Sequence, residues 1–199
     1  MPKKAATQES KKRRERRDWL LAGLMRFADG GEQNLRVERI AEDLGVTKGS
    51  YYYYFKNRDE FIEQMLEIAL EITTQVFIDR ASSEATARER LASLLLSVFQ
   101  EQRGKDFDFY IRQFARKNRV AARFVTSMDN SRIEFLRELI EGCGRTAEYA
   151  RSAAVFLYNY YLGFYIRSER KRPSKAALHE QMQLIGEMMG IDLSGGDHT

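Results

Sequence analysis

An all-α fold is predicted by three features of this 199-residue sequence. Apolar residues recur at helical rather than alternating spacing. Only two prolines occur, Pro2 and Pro173, so nothing stronger than glycine interrupts the interval between them. Glycines and polar clusters fall where the apolar stripes end. With 43% hydrophobic and 31% charged residues the chain has the balance of a packed globular protein, which excludes global disorder. No apolar run approaches the roughly 18 residues of a membrane span. The charged N-terminus lacks a signal-type apolar stretch, so the expected location is cytoplasmic and no membrane partner is expected.

Residues 1–10 are polar and are expected to be disordered. From Lys11 the pattern turns helical: Trp19, Leu20, Leu24, Phe27 and Ala28 share a face, and Gly30-Gly31 supplies a stop. A short helix fits Val37 to Leu44 and another fits Thr47 to Phe55. Asn57 with Glu60 three residues on reads as a capping-box-like start for a long helix through Phe61, Met65, Ile68, Ala69 and Ile72. After Ala81-Ser82-Ser83, further helices fit Ala87–Gln102, Phe107–Asn118, Ala121–Glu141, Ala147–Arg170 and Ser174–Met189. Gly104, Gly142, Gly144 and Pro173 punctuate them, and Ser194–Thr199 reads as a loose tail. The tract Tyr51-Tyr52-Tyr53-Tyr54-Phe55 has strand-like composition, but helical patterns on both sides favour a helix.

Charge is placed unevenly. Residues 1–18 hold eight basic residues (Lys3, Lys4, Lys11, Lys12, Arg13, Arg14, Arg16, Arg17) against Glu9, Glu15 and Asp18, which is +5 of the net +4 and leaves −1 for the rest. Such an arm suits phosphate binding, and equally suits a solvated, frayed terminus.

The strongest functional signal lies between Val37 and Phe55. Val37, Ile40, Ala41 and Leu44 form one apolar stripe, with Ala41 small enough for a helix to cross closely. Gly45 suits the positive φ of a helix end, Val46 plugs the core, and the Thr47 hydroxyl can cap a new helix. Helix, glycine turn, helix is the helix-turn-helix pattern, although many helical hairpins share that spacing. The second helix adds chemistry. Lys48, Gly49 and Ser50 make a slim tip that can reach base edges in a major groove. Four consecutive tyrosines cannot all face a core, and an outward phenol can donate to a phosphate oxygen. Lys56 and Arg58 follow as further phosphate ligands.

The stretch Gly45-Val-Thr-Lys-Gly-Ser-Tyr-Tyr-Tyr-Tyr-Phe-Lys-Asn-Arg-Asp-Glu-Phe61 closely resembles the recognition segment of the tetracycline-repressor (TetR) family. Ile40-Ala41 matches the preceding helix, and the resemblance spans about residues 12–65. It implies base contacts at Lys48, Gly49 and Ser50, joined here by Tyr51. It implies phosphate contacts at Tyr52, Tyr54 and Arg58, to which Arg36, Thr47 and Lys56 are added. Phe55 is the implied core aromatic. The sequence departs from the pattern at two places. Arg36 stands where a Ser or Thr usually opens the second helix, which weakens the cap but offers a cation to a phosphate. Tyr51 replaces an aliphatic residue, leaving its role open between core and thymine-methyl contact.

The implied architecture is an N-terminal three-helix DNA-binding module followed by a C-terminal helical domain for ligand binding and dimerisation. The expected division is a basic flexible arm at 1–17, the helix-turn-helix domain at 18–62 and the effector-binding and dimerisation domain at 63–199. One half-site per module calls for a two-fold dimer on a double-stranded DNA operator. Ala147 to Arg170 is apolar nearly all round, and Leu178, Met182, Ile185 and Met189 make a stripe on the final helix, so the last two helices are the expected homodimer face, with intrachain core as the alternative. The aromatic-rich middle helices suggest a pocket for a small-molecule effector, for which Phe99, Tyr110, Gln113, Phe114, Phe135, Asn159 and Tyr160 are the candidate lining. The resemblance implies that an effector shifts the fourth helix and the half-site spacing. The alternative is a constitutive regulator, repressing or activating, that senses nothing.

Catalysis is not expected, nor is any cofactor or metal. His179 and His198 are the only histidines, and Cys143 is the only cysteine, lacking a basic partner in sequence and barring an intrachain disulfide. Gly142-Cys-Gly144-Arg-Thr-Ala147 fits a dinucleotide fingerprint in spacing alone, because a helical pattern precedes it where a strand is needed. Deleting residues 1–17 is expected to lower the salt dependence of DNA binding, read as the slope of log affinity against log salt; an unchanged slope makes the arm a bystander.

Overall fold

The structure, a computed structural model, describes residues 15–100, 106–167 and 173–193. The arm up to residue 14, Gly104, the expected helix ends at Gln102 and Arg170, and the tail from Ser194 lie outside the described residues. The described residues form ten α-helices and no strand: α1 (Arg16–Gly30), α2 (Val37–Leu44), α3 (Gly49–Tyr54), α4 (Arg58–Leu70), α5 (Val76–Ser82), α6 (Ala87–Gln100), α7 (Phe107–Ala115), α8 (Arg119–Gly142), α9 (Ala147–Arg167) and α10 (Lys175–Met189). A 3-10 turn at Gly31–Asn34 follows α1, and a π-helical turn at Glu71–Gln75 joins α4 to α5.

Local signals set most boundaries. The Asn57 side chain accepts from Glu60 N at 2.8 Å, and the Glu60 carboxylate accepts from Lys56 N at 2.9 Å, so the anticipated capping arrangement opens α4. Asp106, Asn118 and Ser174 cap α7, α8 and α10 in the same way. Gly45 closes α2 at φ +66°, where its N–H and that of Val46 return to Glu42 O and Ala41 O. Helix α3 starts two residues later than expected. No side chain caps it, and backbone bonds from Ser50 N to Thr47 O and Tyr51 N to Lys48 O at 3.1 Å hold its first turn. The dinucleotide-like glycines form the turn between α8 and α9.

Two apolar cores organise the chain. The N-terminal one gathers Trp19, Phe27, Ile40, Phe55, Met65 and their neighbours from α1–α4. Phe107, Ile111, Phe114 and Ala121 complete it, so α7 and the start of α8 serve the core beneath the helix-turn-helix although they come much later in the chain. Gly23 allows α1 and α4 to touch: a Cβ there would lie 2.5 Å from the Phe61 ring. Arg26 of α1 ties α2 with a two-pronged ion pair to Asp43 at 2.5 and 2.7 Å. The second core unites α5, α6, α8, α9 and α10.

Between the cores the helix from α4 into α5 widens at the π turn. Thr73 bonds back to Ala69 O at 2.8 Å, while Arg132 of α8 donates to Thr73 O at 3.1 Å and Thr74 Oγ1 at 3.0 Å. A side chain that takes up a helix carbonyl is a recognised cause of such a local defect.

Candidate DNA-binding face and C-terminal cavity

Three buried rings decide which way α3 faces. Tyr51 packs edge-on to Trp19 at 5.5 Å and Phe61 at 5.4 Å, and lies 5.0 Å from Phe55 between centroids. Tyr51 and Phe55 are i, i+4 partners on the inward side, 2% and 1% exposed. Tyr51 therefore cannot stand with the base-reading residues. The aromatic in the aliphatic position fills the core, its hydroxyl is buried with no hydrogen-bond partner among the described residues, and burial pushes its pKa up to about 12.

The remaining tip residues face out. Thr47, Lys48 and Gly49 are exposed and Ser50 is half-buried, its hydroxyl donating to Thr47 O at 3.1 Å. Tyr52 and Tyr53 are 61% and 71% exposed, and Tyr54 is half-buried. Arg36, Lys56 and Arg58 are exposed. Arg36 makes no side-chain cap on α2, so its guanidinium is left to other partners. Lys48, Arg58 and Arg16 are held by carboxylates in the free protein. Lys48 pairs with Glu38 of α2, which raises the ammonium pKa and lowers that of the carboxylate. Arg58 lies 3.4 Å from Glu32. Arg16 of α1, stacked over Phe55 at 5.3 Å, bonds Tyr54 O at 2.9 Å and Glu60 at 2.7 Å, and so fixes the end of α3 against α4. The result is a slim helix tip flanked by phenols and cations on one surface. It can hydrogen-bond base edges at the tip and phosphates on either side.

The candidate pocket residues do not gather in one place. Only Phe135 lines the apolar cavity of about 60 Å³ in the C-terminal half, together with Phe77, Leu95, Leu157, Tyr158 and Tyr161. Phe99 belongs to the core beside it, 5.6 Å from Tyr161 and 5.0 Å from Phe164. Tyr110, Gln113 and Phe114 line a different cleft, under the α1–α2 connection, with Phe114 packed on Phe27 at 5.9 Å. Asn159 is exposed, and the Tyr160 hydroxyl donates to Gln181 of α10. Aromatic density alone misled because a 3.6-residue period sends neighbouring rings to different faces.

The polar edge of the cavity was missed. Thr73 and Thr74 of the π turn, Arg132 and Tyr158 rim it. Behind them Arg132 meets Asp108 at 3.1 Å, and Arg112 grips Asp129 at 2.9 and 2.6 Å, which raises the pKa of its guanidinium. Tyr158 Oη donates to Asp129 at 2.7 Å and accepts from Arg112 at 3.0 Å; burial pushes its pKa up to about 12. A visible signal existed: Arg132 interrupts a helix whose neighbours Met128, Phe135 and Leu136 point inward. Cys143 is half-buried, which pushes its thiol pKa up, and His179 is exposed. Among the described residues no three His, Cys, Asp or Glu side chains are placed to hold a metal, and no helix is long and apolar enough to cross a membrane.

A helix-turn-helix with an outward, slim recognition tip on an all-helical body defines the class of helix-turn-helix transcriptional regulators. Residues 20–65, the helix-turn-helix module, match the model of the family "Bacterial regulatory proteins, tetR family". Over 193 residues it is 26% identical to the nucleoid occlusion factor SlmA of Actinobacillus pleuropneumoniae serotype 5b (strain L20), covering 85% of each chain. It is 34% identical over 90 residues to the HTH-type transcriptional repressor KstR2 of Mycolicibacterium smegmatis, 43% of this chain and 42% of that one. The fold is shared with the transcriptional regulator FadR from Bacillus subtilis in complex with stearoyl-CoA, at a TM-score of 0.61 and 19% identity over 92% of this chain and all of the other.

Two tyrosine variants separate the inward from the outward phenol. Tyr51→Phe removes a buried hydroxyl that has no partner among the described residues, so thermal or urea unfolding should show equal or greater stability, by up to about 1 kcal/mol, with DNA affinity unchanged. Tyr52→Phe should leave stability within about 0.5 kcal/mol and weaken binding to all DNA sequences roughly tenfold. Unchanged affinity in Tyr52→Phe contradicts its phosphate role.

Proposed function

We propose that the protein is a homodimeric repressor that binds a two-half-site operator and is released from it by a small apolar molecule. Lys48, Gly49 and Ser50 read bases in this scheme. Arg36, Thr47, Tyr52, Tyr54, Lys56 and Arg58 hold phosphates. The observation that carries the effector reading is the shared wall of the cavity: Thr73, Thr74 and Phe77 belong to the helix that begins at Arg58 on the DNA-facing surface. The void of about 60 Å³ is far below the roughly 300–1,000 Å³ of a drug-sized ligand site, so an occupant has to push that wall outward. The displacement travels along one continuous helix to its N-terminus and alters half-site spacing. The KstR2 relative is named a repressor, and the FadR neighbour holds stearoyl-CoA, an apolar chain, which agrees with this reading.

Dimerisation through the last two helices has its own support. Phe156 of α9 is 54% exposed, and Leu184 and Met188 of α10 are 41% and 55% exposed, along one groove between the two helices, and Val155 of α9 is 42% exposed. A contiguous apolar surface of this kind is costly to leave in water.

Two measurements test the proposal. Apolar compounds should be screened for thermal stabilisation and for release of the protein from DNA. A ligand at a hundredfold excess over its Kd should raise the melting temperature by roughly 5–10 °C, and Val98→Phe at the cavity wall should abolish both responses while DNA affinity stays. A panel that neither stabilises nor releases the protein favours the constitutive regulator instead. For the dimer, the variant with Phe156→Asp and Met188→Asp should weigh as a monomer at micromolar concentration and lose operator binding. A wild-type chain that is monomeric with DNA present overturns the dimer.

A further inference from the structure

The α7–α8 corner carries basic residues that the helix-turn-helix does not account for. Arg116, Lys117 and Arg119 follow one another around the turn, all exposed, with only Asn118 between them. The corner is rigid: Lys117 N and Asn118 N return to Phe114 O at 3.1 Å, and the Asn118 side chain accepts from Ala121 N at 2.9 Å. Phe114 and Ala121, on either side, are buried in the core beneath the helix-turn-helix. The corner is therefore packed onto the core of the DNA-binding module.

One carboxylate ties the corner to the DNA-facing surface. Glu32, in the turn after α1, takes Arg58 on one oxygen at 3.4 Å and Lys117 on the other at 2.6 Å. The two cations are thus separated by the width of a single carboxylate. Among the described residues, Arg116 and Arg119 meet no carboxylate at ion-pair distance. An open cleft of about 880 Å³ runs here between the α1–α2 connection and α7. Arg36, Arg58, Arg116 and Lys117 line it against Glu32 and Glu38, a net excess of two positive charges. Arg36 precedes α2 and Arg58 opens α4, so the cleft continues the outward cationic surface of the helix-turn-helix without a break.

We propose that this corner is a second backbone-binding surface, on which Arg116, Lys117 and Arg119 hold phosphates of the operator duplex beside the half-site read by α3. The occupant follows from continuity and charge. A duplex seated on the α3 tip presents its phosphates to Arg58, and the next cations in space are those of the corner. When Arg58 turns to a phosphate, Lys117, whose ammonium has three N–H donors, bridges Glu32 and a phosphate, so the carboxylate does not face the duplex as an unpaired anion. Arg116 and Arg119, with no ion-pair partner among the described residues, are left to the DNA. Backbone contacts carry no sequence information, so this surface adds affinity and salt dependence without altering the operator preference.

The inference rests on the helix-turn-helix binding DNA, and the experiment keeps the two apart. The full-length chain and its triple variant Arg116→Gln, Lys117→Gln, Arg119→Gln are titrated with operator duplex and with unrelated duplex across a salt series. Phosphate ethylation interference is mapped in parallel. The triple variant should lower the slope of log affinity against log salt by about two to three, at roughly 0.9 for each phosphate no longer neutralised. Both duplexes should be weakened by the same factor, and a set of interfering phosphates seen with the wild type should disappear. Lys48→Ala serves as the comparison, since it should change sequence preference and leave those phosphates in place. An unchanged slope and interference map in the triple variant, with Lys48→Ala still shifting preference, overturns the second surface alone. A wild-type chain that binds neither duplex overturns the DNA reading itself.

Discussion

Helix α3 has six residues, too short to persist in water on its own, so its existence depends on the side chains it buries. Tyr51 and Phe55, one turn apart, enter the ring cluster of Trp19 and Phe61 and anchor the helix at its middle and its C-terminal end. Everything on the DNA-facing surface follows from that anchoring. With those two rings inside, helical geometry sends Tyr52 and Tyr53 outward and leaves Lys48 and Gly49 at the tip. Arg16 completes the arrangement by covering Phe55 and bonding the last turn of α3 and Glu60 at once, so α1, α3 and α4 meet at a single guanidinium. The unmatched Tyr51 hydroxyl is the cost of using a tyrosine where an aliphatic side chain would also fill space.

The same module is joined to the rest of the chain by packing rather than by a linker. Phe107, Ile111 and Phe114 sit in its core, and α4 runs on through the π turn into α5, which belongs to the second core. At the junction, Arg132, Asp108, Arg112, Asp129 and Tyr158 make a half-buried network in which each ion pair is supported by a further hydrogen bond. Charges taken from water are tolerable only with such support. The network borders the apolar cavity, whose lining includes Thr73 and Thr74 of the helix that starts at Arg58.

Carboxylates on the cationic surface give it a second property. Glu38 holds Lys48 in an exposed pair, and Glu32, itself half-buried, holds an exposed Arg58. Exposed pairs are worth little in stability, so exchanging a carboxylate for a phosphate costs the fold almost nothing. What they provide is order: the long side chains of Lys48 and Arg58 are held in place on the surface, and a side chain already ordered has less freedom to lose on binding a partner.

The sequence by itself determined the helical class, the Asn57 cap of α4, the Gly45 turn and the outward Lys48-Gly49-Ser50 tip. Those features are local: a capping side chain, a positive φ or an i, i+4 stripe acts within one or two turns of chain. The fold and the tip were legible for that reason. Tertiary structure decided the rest. It sent Tyr51 inward, because the choice between core and base edge depends on where Trp19 and Phe61 arrive. It scattered Tyr110, Gln113, Phe114, Asn159 and Tyr160 away from the cavity and put Thr73, Thr74, Arg132 and Tyr158 there instead. It also brought Lys117 to the carboxylate that holds Arg58, 59 positions away in the chain. Each of these is a meeting of residues distant in sequence, and no local periodicity encodes which faces of two remote helices will touch.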